Sequence, residues 1–177
     1  MFLRHELPLE TTRLEIRPFE EGDLEAFHAI FGDPEVMARI PFGASRDLEE
    51  SRRRMQRMID HQRDHGFSLW ALIEKSSGEV IGDCGLFYAE GVGPEIELGY
   101  HLNKSRWRMG YITEAAMECV RFGLEDLGLE TIIAIADPDH FVSRRVMEKV
   151  GMTFEGMGRY YDRESVKYVI SSLGDTA

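Results

Sequence analysis

The sequence predicts one α/β (α+β) domain, a mixed and mostly antiparallel sheet with helices packed on it. Three observations lead there. Apolar periodicity alternates along the chain between two residues and about 3.6. Three extended runs in the middle follow one another through short glycine-bearing connections, which marks an antiparallel meander. The chain has 177 residues, 43% of them hydrophobic, which suits a single domain (1–177) with a core of its own.

Residues 11–18 (TTRLEIRP) alternate Leu14 and Ile16 with Arg13, Glu15 and Arg17, as in a half-buried strand, and Pro18 ends it. Residues 22–31 put Leu24, Phe27, Ile30 and Phe31 on one helical face. Asp23 sits in the first turn, where the helix dipole favours it. Asp33-Pro34 interrupts that helix, and Pro41-Phe42-Gly43 reads as a loop. Ser45 or Asp47 opens a charged helix to about His65, with a thin stripe of Leu48, Met55, Met58 and Ile59. Arg52, Arg53, Arg54 and Arg57 resemble an anion site, but Glu49–Arg53 and Glu50–Arg54 are i,i+4 pairs of a solvated face.

Residues 67–75, 79–88 and 94–103 are the meander, turned at Ser77-Gly78 and at Gly91-Val92-Gly93-Pro94. Residues 110–127 return to helical spacing (Ile112, Ala115, Ala116, Cys119, Phe122), closed by Gly128. Residues 129–136 (LETIIAIA) form a buried strand. Residues 141–150 form a helix through Val142, Val146 and Val150 that Gly151 closes, and residues 152–173 hold two strands. The order β-α-α-β-β-β-α-β-α-β-β places a parallel crossover in the second half.

The formal net charge is −11, which argues against nucleic acid and anionic membranes as partners. No run approaches the ~20 apolar residues of a membrane span. Residues 1–9 carry Arg4, Glu6 and Pro8 without a long apolar run, so no secretory leader is expected. Cys84 and Cys119 lie in apolar periodic segments and are expected as buried thiols. The expected location is cytoplasmic.

Chemistry concentrates in residues 100–118 (YHLNKSRWRMGYITEAAME), where a strand runs through a loop and Gly110 into a helix. Such a junction leaves first-turn N–H groups unpaired, and with the helix dipole they attract an anion. Lys104, Arg106 and Arg108 cluster beside it. The Walker and G-x-G-x-x-G patterns are absent, as are metal-ligand spacings and the G-x-S-x-G elbow. No resident metal is expected.

The stretch WRMGYITEA, from Trp107 to Ala115, resembles the acyl-CoA-binding motif of GNAT acetyltransferases, in particular the branch that acetylates N-termini of ribosomal proteins. TRLEIRP (12–18), DPEVM (33–37), Gly99-Tyr100 with Leu102, and DPDHFVSRRVMEKVGM (137–152) fit the same pattern in the same order. The resemblance implies the GNAT fold, with the strands of residues 94–103 and 129–136 splayed around acetyl-CoA as co-substrate. It implies direct attack of a primary amine, on a small molecule or a protein N-terminus, with a non-catalytic acyl-CoA-binding regulatory domain as the other reading. Main-chain N–H groups of Trp107, Arg108, Met109, Gly110, Tyr111, Ile112 and Thr113 would cradle the pyrophosphate. The backbone of Tyr100, His101 and Leu102 would pair with the pantetheine arm. His140 and Ser143 line the same cleft, and Arg106, Arg108 or Arg144 would meet the outer phosphates.

The amine must be neutral to attack, so an ammonium needs a base. Glu97 is the first candidate because it precedes the cofactor loop and shares a strand face with Gly99 and His101. Glu95 has the same parity, and Asp162 is a weaker third. Ser143 matches the family serine that serves the thioester sulfur as an acid. Ile112 stands where the family carries a small residue, Arg108 replaces a common glycine, His140 replaces an asparagine, and Met147 stands where many members carry a tyrosine. The oligomeric state is left open by the sequence, and a homodimer would use Met55 and Met58 or the last strands. The basic residues Lys104, Arg106, Arg108, Arg144 and Arg145 suggest an anion entrance opposite an acidic one for a cationic amine.

Overall fold

A computed structural model describes residues 7–172. The elements are β1 (Leu9–Glu10), β2 (Leu14–Arg17), α1 (Leu24–Phe31), α2 (Leu48–His65), β3 (Leu69–Glu74), β4 (Val80–Tyr88), β5 (Ile96–Leu102), α3 (Tyr111–Arg121), β6 (Thr131–Ala136), α4 (Phe141–Val150), β7 (Thr153–Tyr160) and β8 (Arg163–Ser171). The predicted order of elements stands, with β1 added as a two-residue edge. The leader expectation at residues 1–9 falls mostly, and Leu173 wholly, outside the described residues. Among the described residues no helix is long and apolar enough to cross a membrane.

All eight strands form one sheet in the order β1-β2-β3-β4-β5-β6-β8-β7. Every neighbouring pair is antiparallel except β5–β6, the crossover that the sequence led one to expect. Alternation along the strands serves two helical layers. In β3, Ala71 and Ile73 pack with Phe27, Ile30, Phe31 and Met55 of α1 and α2. Trp70 and Leu72 face the other way, into the core that holds Tyr111, Ala115 and Cys119 of α3 and Met147 of α4. Phe27 and Phe31 stack at 4.1 Å between ring centres. Both cysteines are free and buried.

Asp47, not Ser45, caps α2 by accepting the Glu50 N–H at 2.7 Å, and Gly66 ends the helix at φ 81°. Arg54 departs from the solvated face that its spacing suggests. It is buried and donates to the carbonyls of Gly43 (2.7 Å) and Phe42 (3.3 Å) as well as to Glu50 (2.7 Å). The helical reading of residues 110–127 also changes. α3 ends at Arg121, and Phe122–Asp126 widens into a π turn with Leu127 N–H donating to Phe122 O at 2.9 Å. The turn presses Gly123 against the sheet, where a Cβ would stand 2.7 Å from both Ile132 and Leu86 methyls.

Gly85 in the central strand β4 lies against β3, and a Cβ there would run into the Ser68 carbonyl oxygen. That oxygen accepts the Leu86 N–H at 3.0 Å and is fixed by the ladder. We expect Gly85→Ala to lower the unfolding free energy by about 2 kcal/mol or more, read by urea denaturation. A change within a few tenths of a kcal/mol would contradict this packing.

Candidate active site

β5 pairs with β4 along its whole length, from Tyr88 opposite Ile96 to Gly82 opposite Leu102. With β6 it makes a single pair, Glu97 opposite Ile133. Glu95 O accepts the Ala89 N–H at 2.9 Å, and Asn103 N–H donates to Ile81 O at 2.8 Å. The odd-numbered residues of β5 therefore aim their main-chain groups at β4, and the even-numbered ones aim theirs at β6. Beyond the single pair these groups meet a gap. Leu102 O is taken by the indole N–H of Trp107 at 2.8 Å. The N–H and C=O of Tyr100 face the gap. The parity turns the main chain of His101 to β4, and its ring Nδ1 is bonded to the buried Asp83 at 2.9 Å, so the structure turns His101 away from the gap.

At the open end of the gap the chain makes a turn at Lys104–Arg106 and enters α3 through two left-handed residues, Arg108 (φ 63°) and Gly110 (φ 81°). Gly110 stands at the cap position and brings no side-chain oxygen, so the N–H groups of Tyr111, Ile112 and Thr113 remain free of any cap. Trp107 and Met109 are exposed, and the Tyr111 side chain is buried. Ile112 packs against the main core, which removes the crowding its branched side chain suggests.

The basic cluster is mostly spoken for. Arg106 binds Glu74 at 2.9 Å and Glu79 at 3.1 Å. Lys104 binds Glu35 at 3.0 Å and Asp33 at 3.4 Å. Arg144 donates to Pro138 O at 3.0 Å and to the Tyr168 hydroxyl at 3.3 Å. Arg106 is thus a brace of the loop, contrary to the expected phosphate contact, whereas exposed Arg108 has no ion pair among the described residues. Glu74 anchors the brace. It accepts from Arg106, from the Tyr111 hydroxyl at 2.5 Å and from Ser77 at 2.7 Å, and these bonds hold its carboxyl down at about 2. Just before β2, Arg13 binds Glu114 at 2.7 Å and Met109 O at 2.8 Å. Sequence reasoning missed Glu74 and Arg13. The signal for Glu74 was its parity, since it shares the core-facing side of β3 with Trp70 and Leu72.

Two polar groups flank the gap on opposite faces of β5. On the α3/α4 face the Tyr100 hydroxyl lies 2.9 Å from Ser143 Oγ in the first turn of α4. Burial pushes the Tyr100 hydroxyl pKa up. Ser143 is itself buried, and His140 precedes the helix, half-buried, with its pKa lowered by burial and by Arg39. Met147 is a core residue at 1% exposure. On the α1/α2 face, Glu97 is 6% exposed. Burial pushes its carboxyl up to about 8, with Glu90 and Glu95 adding to the rise and a 2.5 Å bond from the Tyr161 hydroxyl opposing it.

Glu95 lies two residues away with a different fate. It accepts from Lys167 Nζ at 2.5 Å and from the Tyr160 hydroxyl at 2.9 Å, and the Lys167 bond leads in holding its pKa below the usual range. Asp162 is fully exposed at the tip of the β7–β8 turn, 3.7 Å from Arg159. Among the described residues no group of three or more His, Cys, Asp or Glu side chains is placed to hold a metal.

The sequence profile of the acetyltransferase (GNAT) domain matches residues 13–153. The chain is 27% identical over 155 residues to the N-acetyltransferase p20 of Bacillus licheniformis, covering 88% of this chain and 87% of that protein. A GNAT-family acetyltransferase structure from Bacillus anthracis superposes at TM-score 0.79 and 27% identity, over 92% of this chain and 97% of that one. RimL, a ribosomal L7/L12 alpha-N-protein acetyltransferase solved with coenzyme A, superposes at 0.78 over 94% and 98% of the two chains. At 17% identity it is alike in fold.

Because the folded Glu97 holds its proton up to about 8 and the unfolded one releases it near 4.5, the unfolded state binds fewer protons between those values. This carboxyl therefore costs stability as pH rises through that window. We expect the difference in unfolding free energy between Glu97→Gln and wild type to shift in favour of the variant from pH 5 to pH 9, read by urea denaturation. A difference independent of pH would show that Glu97 ionises in its ordinary range.

Proposed function

The chain belongs to the GNAT acetyltransferases, and on that premise we propose that it transfers acetyl from acetyl-CoA to a primary amine by direct attack on the thioester. The observation that carries this reading is the gap that opens one residue pair beyond Glu97, with a buried carboxyl of raised pKa beside it. The residues there fit the co-substrate. The pantetheine arm is an extended chain with two amides, and Tyr100 offers it one N–H and one C=O. The N–H groups of Tyr111, Ile112 and Thr113, together with those of the loop from Trp107 to Gly110, suit the pyrophosphate. Arg108 is the cation available to an outer phosphate.

Bound acetyl-CoA supplies the activated acetyl group, and the chain supplies proton handling and position. Glu97 serves as the base. With its carboxyl near 8, it draws a proton from an alkylammonium better than an ordinary carboxylate does. The Ser143 hydroxyl, oriented by Tyr100, serves the departing sulfur as donor. The C–N bond forms as the C–S bond breaks. The acceptor is a primary amine on a small molecule or a protein N-terminus. RimL is named for a ribosomal protein as its substrate, and that identity belongs to RimL. Two reduced thiols and this co-substrate favour the cytoplasm.

The test is release of free thiol from acetyl-CoA over a panel of amines, with acetyl-CoA affinity measured by calorimetry. The wild-type kcat/KM for the amine should rise with pH to a limb near 8. Glu97→Gln should cut kcat about 100-fold while the Kd for acetyl-CoA stays within twofold. Equal turnover by the variant would remove Glu97 as the base, and absence of acetyl-CoA binding by wild type would remove the function.

A further inference from the structure

Glu97 is enclosed, and the group on its Oε2 is a phenol from a distant part of the chain. Tyr161 lies in the two-residue turn between β7 and β8. Its hydroxyl donates to Glu97 Oε2 at 2.5 Å and accepts the Glu90 N–H at 3.0 Å, while its own N–H donates to Glu90 Oε1 at 2.7 Å. These bonds lock the β7–β8 tip to the turn that follows β4. Three non-glycine residues here stand at left-handed φ: Glu90 (56°), and Tyr161 (51°) and Asp162 (59°), the latter two as a two-residue hairpin turn requires. Tyr161 is half-buried and Glu97 is buried, so of the two the tyrosine is the more open to solvent.

We propose that Tyr161 is a catalytic residue of the transfer: its hydroxyl takes a proton from the acceptor ammonium on its remaining lone pair and passes its own proton to Glu97. The valences allow it. The phenol oxygen carries one hydrogen and two lone pairs, and the Glu90 N–H occupies one of them. As the ammonium proton arrives, the phenol proton moves to Glu97 Oε2, and Tyr161 remains a neutral phenol throughout. The neutral amine then attacks the thioester carbon. The proton released as the amide forms goes to the departing thiolate, and Glu97 later returns its proton to water. Direct contact between amine and carboxylate is not needed, which reconciles a buried base with a soluble substrate.

The other charged and titratable groups facing Glu97 are accounted for. Glu90, from the turn after β4, is bonded to the Tyr161 N–H. Glu95, just before β5, is neutralised by Lys167 of β8 and bonded by Tyr160 of β7. Tyr100, also on β5, points to the opposite face and Ser143. On β4 the residue opposite Glu97 is Phe87. Tyr161 is thus the proton-carrying group bonded directly to the carboxyl.

The proposal rests on the amine-acetylation reading above, and the experiment separates the two. The alkylamine that wild type acetylates fastest is compared with the alkoxyamine of the same skeleton, which is neutral at pH 7 and needs no proton removed before attack. Tyr161→Phe should lose about 100-fold in kcat/KM with the alkylamine at pH 7 and less than about threefold with the alkoxyamine, at unchanged acetyl-CoA Kd. The double variant with Glu97→Gln should be no slower on the alkylamine than the slower single variant, because relay members act as a unit. Equal losses with both acceptors, additive losses in the double variant, or full activity of Tyr161→Phe each overturn the relay. A wild type that acetylates no amine overturns the functional reading itself, and the relay with it.

Discussion

β5 has a neighbour on one edge for its whole length and on the other for a single residue pair, and the site follows from that asymmetry. An unpaired main-chain donor or acceptor inside a protein costs about 1–3 kcal/mol, so a sheet does not part in its middle without something to hold it open. Here both strands are secured from behind. β4 holds β5 in seven consecutive register pairs, and β8 holds β6 in six. The chain between them is α3 with its π turn, which presses Gly123 against Leu86 and Ile132. The Tyr100–Ser143 bond then ties the parted strand to α4. The result is an extended main-chain edge with free hydrogen-bonding groups, ready for a ligand that is itself an extended chain of amides.

The loop at the open end depends on charge pairing that is directed inward. Two of the residues that look from the sequence like a basic patch are braces, Arg106 on Glu74 and Lys104 on Glu35 and Asp33, and Arg13, outside that patch, adds its pair with Glu114. They fix the left-handed residues Arg108 and Gly110, and so fix where the uncapped N–H groups of α3 point. Oriented N–H groups bind an anion without a surplus of positive side chains. A chain of net charge −11 therefore needs no broad positive surface for a polyphosphate. The notion of two entrances of opposite charge narrows to one oriented loop with Arg108 beside it.

Local rules made much of this legible. Period-two and period-3.6 patterns located the strands and helices, and the strand–loop–glycine–helix junction located the uncapped N–H groups at the start of α3. Parity nominated Glu97 and Glu95 alike. What stayed hidden depends on contacts between residues far apart in sequence. Tyr161 lies 64 positions from Glu97, and Glu74 lies 32 from Arg106. Neither pair can be inferred from spacing along one element. Arg54 misled for the same reason: its i,i+4 bond to Glu50 is present as the spacing suggests, yet the loop carbonyls at Phe42 and Gly43 bury it. Helix boundaries failed where packing overrode periodicity, as in the π turn after Arg121.

Glu95 and Glu97 show what tertiary structure adds to a pattern. Both lie on one side of the β5 edge region, and parity alone ranks them equally. Each accepts a tyrosine hydroxyl from the β7–β8 hairpin, Tyr160 for one and Tyr161 for the other. The difference is Lys167. Its ammonium sits on Glu95, holds that carboxyl ionised and leaves it a structural tie. Glu97 is more deeply enclosed, has no cation partner among the described residues, and feels the charges of Glu90 and Glu95, so its proton is held up to about 8. Neighbouring carboxyls driven apart in this way are fitted to different work, the ionised one as an anchor and the protonated one for the base that we propose. The same hairpin performs both tasks, because the strand that brings Lys167 to Glu95 is continuous with the turn that brings Tyr161 to Glu97. The fixed anion at Glu95 thus holds down the hairpin that closes over Glu97 and raises the proton affinity of the carboxyl beneath it.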